Sequence, residues 1–230
     1  MGLNRNRDAS VTAEDQNLCV RPGAGAEEDG FWFAIPPGFI SLPVASPLAS
    51  SGSFGTQELS AVVAPFLCSV SDGATRRRFV TSLTTAHRML CALWSEGTVH
   101  CSLGLHRDDT VNDDGGVLLS FFTITWMNIS WAPRAVTAAR AVTTAEGHGN
   151  IAYDELGCGP VAFSETLRTP RPGSGLPQTP LLQIYAHVPH PDGTSLVLLT
   201  LSTTATSHRD AYRTLLRRIT ERVTFDAPRG

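Results

Sequence analysis

Two runs near the end of the chain, LLQIYAHV (181–188) and SLVLLTLS (195–202), carry apolar side chains in both alternation classes. Such a pattern predicts strands covered on both faces rather than solvated on one. Between them lies PHPDG, whose Asp192-Gly193 pair supplies the turn of a hairpin. Next, Tyr212, Leu215, Leu216, Ile219 and Val223 fall at helical spacing, with Arg209, Arg213, Arg217 and Glu221 on the other side. Ser207 with Asp210 three residues on reads as a capping box for this helix. Residues 181–225 therefore read as strand, turn, strand, helix, short strand, and the hairpin is expected at the sheet centre.

The same grammar extends upstream. Residues 1–29 show neither helical nor strand periodicity and read as a disordered tail. FWFAI (31–35) predicts a first strand stopped by Pro36-Pro37-Gly38, with residues 39–42 extended beyond it. Apolar residues at helical spacing predict a helix from Thr56 to about Phe66 and a longer one from Asp72 to Ser95, the latter with His87 in its apolar stripe. Residues 98–106 and 117–127 read as a hairpin joined by an acidic loop, 134–146 as a helix, and 151–156 and 161–167 as two further strands. Hairpins without a repeated strand–helix–strand alternation predict an α+β fold: an antiparallel β-sheet with helices packed on both faces, an α/β/α sandwich. The expected organisation is a tail over 1–29, one domain over 30–227 and a C-terminal tail over 228–230.

The FWFAIPPGF start, the hairpin-rich middle and the final strand–turn–strand–helix ending in VTF resemble the Mog1/PsbP-like group of α/β/α sandwiches over residues 31–226. Members of that group share docking to partners rather than an active site. The resemblance therefore implies a protein-binding role and carries over no functional residue.

Composition narrows the function classes. The net charge is −3 and the basic residues are scattered, which disfavours a nucleic-acid footprint. All 18 basic residues are arginine, as expected of a GC-rich bacterial genome. No run is long and apolar enough for membrane insertion, and the polar first twenty residues lack the apolar core of a signal peptide, so the expected location is cytoplasmic. Five cysteines without CxxC spacing read as buried free thiols.

Candidate chemistry is sparse. His187 and His190 could present two metal ligands, but nothing local supplies a third, and His87 reads as a buried core histidine. The acidic stretch Asp108, Asp109, Asn112, Asp113, Asp114 does not fit the calcium-loop pattern. Asp154, Glu155 and Glu165 sit on neighbouring strands where a carboxylate pair is geometrically allowed. Arg76, Arg77 and Arg78 at a helix start could meet an anion, although a solvated helix end is the commoner arrangement. There is no GxSxG, HExxH, P-loop or strand-borne GxGxxG. No residue is assigned to catalysis, a cofactor or a metal, and no cofactor is expected. The first expectation is a non-enzymatic binding or adaptor domain with a protein partner, with a homo-oligomer compatible. The alternative is a small-ligand site between sheet and helices, lined by Trp94, Phe122 and Trp126. A hydrolase-type enzyme ranks third and would need several of His100, His148, Asp154 and Glu165 to converge in one cleft.

Overall fold

Strand β9, Ser195–Thr203, occupies the fourth position of a seven-stranded antiparallel sheet, flanked by β8, Leu181–Pro189, and β5, Val117–Asn128. Its apolar residues are buried in both alternation classes, as the sequence pattern requires of a central strand. The sheet order is β3 (Phe39–Ser41), β4 (Thr98–Arg107), β5, β9, β8, β7 (Gly159–Arg168) and β6 (Gly149–Leu156). The computed structural model describes residues 16–20, 30–42, 97–107, 117–144, 146–170, 172 and 178–226. The helices expected over 56–66 and 72–95 lie outside these residues.

The hairpin expectation at residues 190–194 holds in atomic detail. Gly193 sits at φ 73°, a conformation that favours glycine. The Asp192 carboxylate accepts from the backbone N–H groups of Thr194 at 2.6 Å and Ser195 at 3.0 Å, closing the turn.

Both described helices contact the sheet, α1 (Arg134–Thr143) at β7 and β8, and α2 (Arg209–Glu221) at β8 and β9. Helix α2 places Tyr212, Leu216 and Ile219 in the main core beside Leu199, Leu201 and Ile184. Their spacing puts these side chains on one helical face, and burying each apolar side chain contributes about 1.5–3 kcal/mol. The expected capping box is not formed. A 3₁₀ turn over Thr206–His208 moves the helix start past Ser207, whose hydroxyl meets His208 Nδ1, and Asp210 pairs with Arg213 instead. Asp210 still lies in the first turn, where its charge complements the helix dipole. Helix α1 packs Ala138 and Val142 on Ala162 of β7 in a smaller cluster.

Two differences from the sequence reading concern the start of the chain. Gln16–Val20, placed by sequence within a structureless tail, forms β1, paired antiparallel with β2, Phe31–Ile35. Leu18, packed against the main core, supplies an apolar anchor that five residues were too few to reveal as a period. Strand β2 itself stands outside the seven-stranded sheet. Its alternate residues Phe31, Phe33 and Ile35 enter the main core, and Trp32 makes an antiparallel bridge to Thr224, where the sequence placed its final short strand.

Candidate functional site

Successive residues of a strand point to opposite sides of its sheet, so the register sorts the polar residues of β7 and β8. Ala162 stands opposite His187 and Ser164 opposite Tyr185, which puts Ser164, Thr166, Tyr185 and His187 on the side of Ala162, the residue that α1 covers. This face holds a connected polar cluster. The Ser164 hydroxyl lies 2.7 Å from His148 Nδ1 and 3.2 Å from His187 Nε2. The His148 ring stacks on Tyr185 with centroids 4.7 Å apart, and the Tyr185 hydroxyl reaches Thr166 Oγ1 at 3.3 Å.

The segment carrying His148 is tied on both sides. After α1, Gly147 turns the chain at φ 78°, and Arg168 donates to the Glu146 carbonyl at 3.1 Å. On the other side Asn150 donates to the Glu165 carboxylate. His148 is thus delivered from the α1–β6 connection onto a sheet face built by β7 and β8.

Above the cluster lies a cavity of about 490 Å³ between α1 and the sheet. Among the described residues its walls include Met127, Ile129, Leu196 and Leu198, with Thr137, Arg140 and Ala141 of α1. His148, Tyr185 and His187 also line it, whereas Ser164, 2 % exposed, does not. Ser164 therefore holds the two imidazoles in place and is not offered to a substrate as a nucleophile.

Burial drives the electrostatics here. It pushes His187 down to about 4, with the neighbouring His148 adding to the effect, and it lowers His148 together with the charge of Arg168. A neutral pair of rings allows two proton arrangements through Ser164. The Ser164 hydroxyl donates to one imidazole and accepts from the other, and either ring can carry the bridging N–H. His187 Nδ1 is buried without a hydrogen-bond partner among the described residues, as is Thr137 Oγ1 of α1.

The residues singled out from sequence mostly serve other ends. His187 and His190 share no site. They are three apart, an odd spacing that separates them on a strand, and His190 meets Asp192 at 3.0 Å and packs on Trp126 and Phe225. Asp154, Glu155 and Glu165 form no carboxylate pair. Glu165 is held by Arg213, Arg209 and Asn150, Asp154 by Arg217 at 2.9 Å, and Glu155 is exposed. The arginines come from α2 at i, i+4 and i+8, so the stripe read as a polar helix face is the partner of these strands. His100 donates to or accepts from Ser102 at 2.6 Å within the core beside Phe33 and Phe122. Hence His100, His148, Asp154 and Glu165 do not converge in one cleft.

The aromatic lining expected of a ligand site also needs correction. Phe122 and Trp126 lie in the main core, on the sheet side away from the cavity, because Phe122 pairs with Leu201 and Trp126 with Val197. Trp94, His87, the acidic residues Asp108, Asp109, Asn112, Asp113 and Asp114, and Arg76, Arg77 and Arg78 lie outside the described residues. Among the described residues no three histidine, cysteine or acidic side chains are grouped to hold a metal, and no helix is long and apolar enough to cross a membrane. Ser164, Tyr185 and Thr137 were not singled out from sequence. The polar positions two apart, Ser164/Thr166 and Tyr185/His187, were the available signal.

No protein-family model matches this chain, and comparison with curated proteins and with solved structures finds no match.

Proposed function

We propose that this chain is a non-catalytic binding domain that holds a small organic molecule between α1 and the sheet. The observation that carries this reading is a cavity of about 490 Å³ between α1 and the sheet, walled mostly by apolar side chains with His148 and Tyr185 among them. The volume falls in the roughly 300–1,000 Å³ range of small-molecule pockets, and mostly apolar walls with a few polar groups suit such a ligand. Alternation along β7 supports placing α1 and α2 on opposite faces, since α1 covers Ala162 while the next residue, Phe163, packs on the core that α2 joins. That arrangement is the one the Mog1/PsbP-like resemblance implies.

The test is thermal denaturation of the full chain against a diverse set of small apolar molecules, repeated on Ala141→Trp, which fills the cavity from the helix side. Compounds are expected to raise the wild-type midpoint and to lose that effect in the variant, whose fold is checked by circular dichroism. A set that stabilises neither protein, or both equally, would overturn the reading.

A protein partner is the second reading, favoured by β6. Among the described residues this strand ends the sheet order, and its Ile151 and Tyr153 are 43 and 53 % exposed. An open strand edge is a template for a further strand. Replacing Ile151 by Lys should abolish recovery of a partner in a pull-down while leaving small-molecule binding unchanged; equal recovery by both proteins excludes this edge.

A further inference from the structure

We infer that the cavity takes a singly charged anion with an apolar body, its carboxylate held by Arg140 at the mouth and its body laid between α1 and the sheet. This rests on the small-molecule reading above and names the class of molecule that reading leaves open.

The inference follows from how charge is distributed around the cavity. Arg140 of α1 belongs to the lining and is exposed, which places it where the cavity meets solvent. Among the described residues no lining side chain is acidic, and the guanidinium of Arg140 makes no ion pair or hydrogen bond. Other arginines of the two helices are already engaged. Arg213 and Arg217 are taken by Glu165 and Asp154, and Arg134 by the carbonyls of Pro189 and Cys158. Arg140 lies in the last turn of α1, where its charge complements the helix dipole, but that effect leaves its N–H groups unused. Arg168 adds to the positive field, since its charge joins burial, the larger cause, in lowering His148, another lining residue.

Beyond Arg140 the walls are largely apolar, with Met127, Ile129, Leu196 and Leu198 among them, so the remainder of the ligand must be apolar too. A carboxylate kept at the mouth stays partly hydrated and avoids the cost of burying an ion, while the planar fork of an arginine can meet both its oxygens. One lining cation matches one negative charge, and a second would go uncompensated.

The experiment measures binding of 2-naphthoate, 2-naphthamide and 2-naphthylmethylammonium to the full chain by isothermal titration at pH 7.5 in low salt. The naphthoate is expected to bind about fivefold more tightly than the neutral amide, as one partly solvated ion pair allows, and the ammonium more weakly than either. Raising the salt should narrow the difference between naphthoate and amide. Arg140→Gln, a change at an exposed position, should bring the naphthoate to the level of the amide, and Arg140→Glu should make the ammonium the better ligand of the two ions. Arg218→Gln removes an exposed cation from α2, outside the lining, and should leave the preference intact. Equal affinities for naphthoate and amide, or a preference that survives Arg140→Gln or is lost equally in Arg218→Gln, would overturn this inference while leaving a binding cavity in place. Failure of all three probes to bind would overturn it together with the reading it rests on.

Discussion

Lowering the pH from 7 to 5 is expected to remove folding stability, about 4 kcal/mol of it through His100 and His187 in similar shares, with His106 and His148, also lowered by burial, adding in the same direction. Burial lowers His100 and His187 from 6.5 to about 4, with His148 adding to the effect at His187. Between these values the unfolded chain binds a proton at each ring that the folded chain does not, so stability falls as the pH falls. Their contribution is full above 6.5, declines through the window at about 2.7 kcal/mol per pH unit, and levels off near 4 where the folded rings also protonate. Glu165 and Asp192 act at lower pH. Burial opposes their ionisation, but bonds from Arg213 and Asn150 to the first, and from Thr194 and Ser195 with the charge of His190 to the second, hold both carboxyls below their ordinary values. Their contributions are present above 4.5 and 3.8 and are lost as the pH drops through the lower folded values. Urea unfolding at a series of pH values measures the slope directly. Replacing either His100 or His187 by Leu should make the slope between pH 6 and 5 clearly shallower, whatever it does to the absolute stability, with His106 and His148 contributing to what remains. A wild-type stability that stays flat from pH 7 to 5 would show that these rings are not buried as described.

Arg213→Ala is expected to cost about 2–3 kcal/mol, more than an exposed ion pair is worth. Glu165 is 5 % exposed and receives Arg213 Nε at 2.8 Å and Nη2 at 2.7 Å, a two-point contact between α2 and β7. Without Arg213 the carboxylate remains buried with Arg209 at 3.5 Å and Asn150 as its partners. The value lies below that of a fully buried pair because Arg213 is 36 % exposed and Arg209 compensates in part. The double variant Glu165→Leu/Arg213→Leu should lose less than Arg213→Ala alone, since it leaves no stranded charge. Denaturant midpoints of the two single variants and the double variant give the coupling, and strict additivity would mean that the pair does not act as a unit.

Local grammar carried the sequence reading a long way. Asp192-Gly193 marked its turn, the two-sided apolar pattern of 195–202 placed β9 within the sheet, and the Tyr212–Leu216–Ile219 stripe identified the buried face of α2. Features that depend on distant pairing were not legible. The aromatic pattern of FWFAI announced a buried strand, but only its pairing with residues 16–20 and Thr224 shows that it lies outside the main sheet. The side of the sheet taken by the expected pocket lining was hidden for the same reason. Phe122 and Trp126 are conspicuous as aromatics, yet the side of the sheet they occupy follows from their register with β9, which no window of sequence contains. His148 comes from a connection and Ser164 and His187 from two strands, so their meeting is a property of topology. Asp154 and Glu165 looked like chemistry until α2 supplied their counter-ions.

The cysteines of the described core have a practical consequence. Cys101 in β4 is fully buried with its thiol pushed up to about 12, and Cys158, in the turn between β6 and β7, is buried and raised as well. A thiolate is the species that alkylates, so neither sulfur reacts while its surroundings stay closed. Labelling at these positions therefore times the opening of the structure around them. Because Cys101 sits toward one end of the strand order and Cys158 at the other, the two labelling rates distinguish a sheet that frays from one side from a sheet that comes apart as a whole.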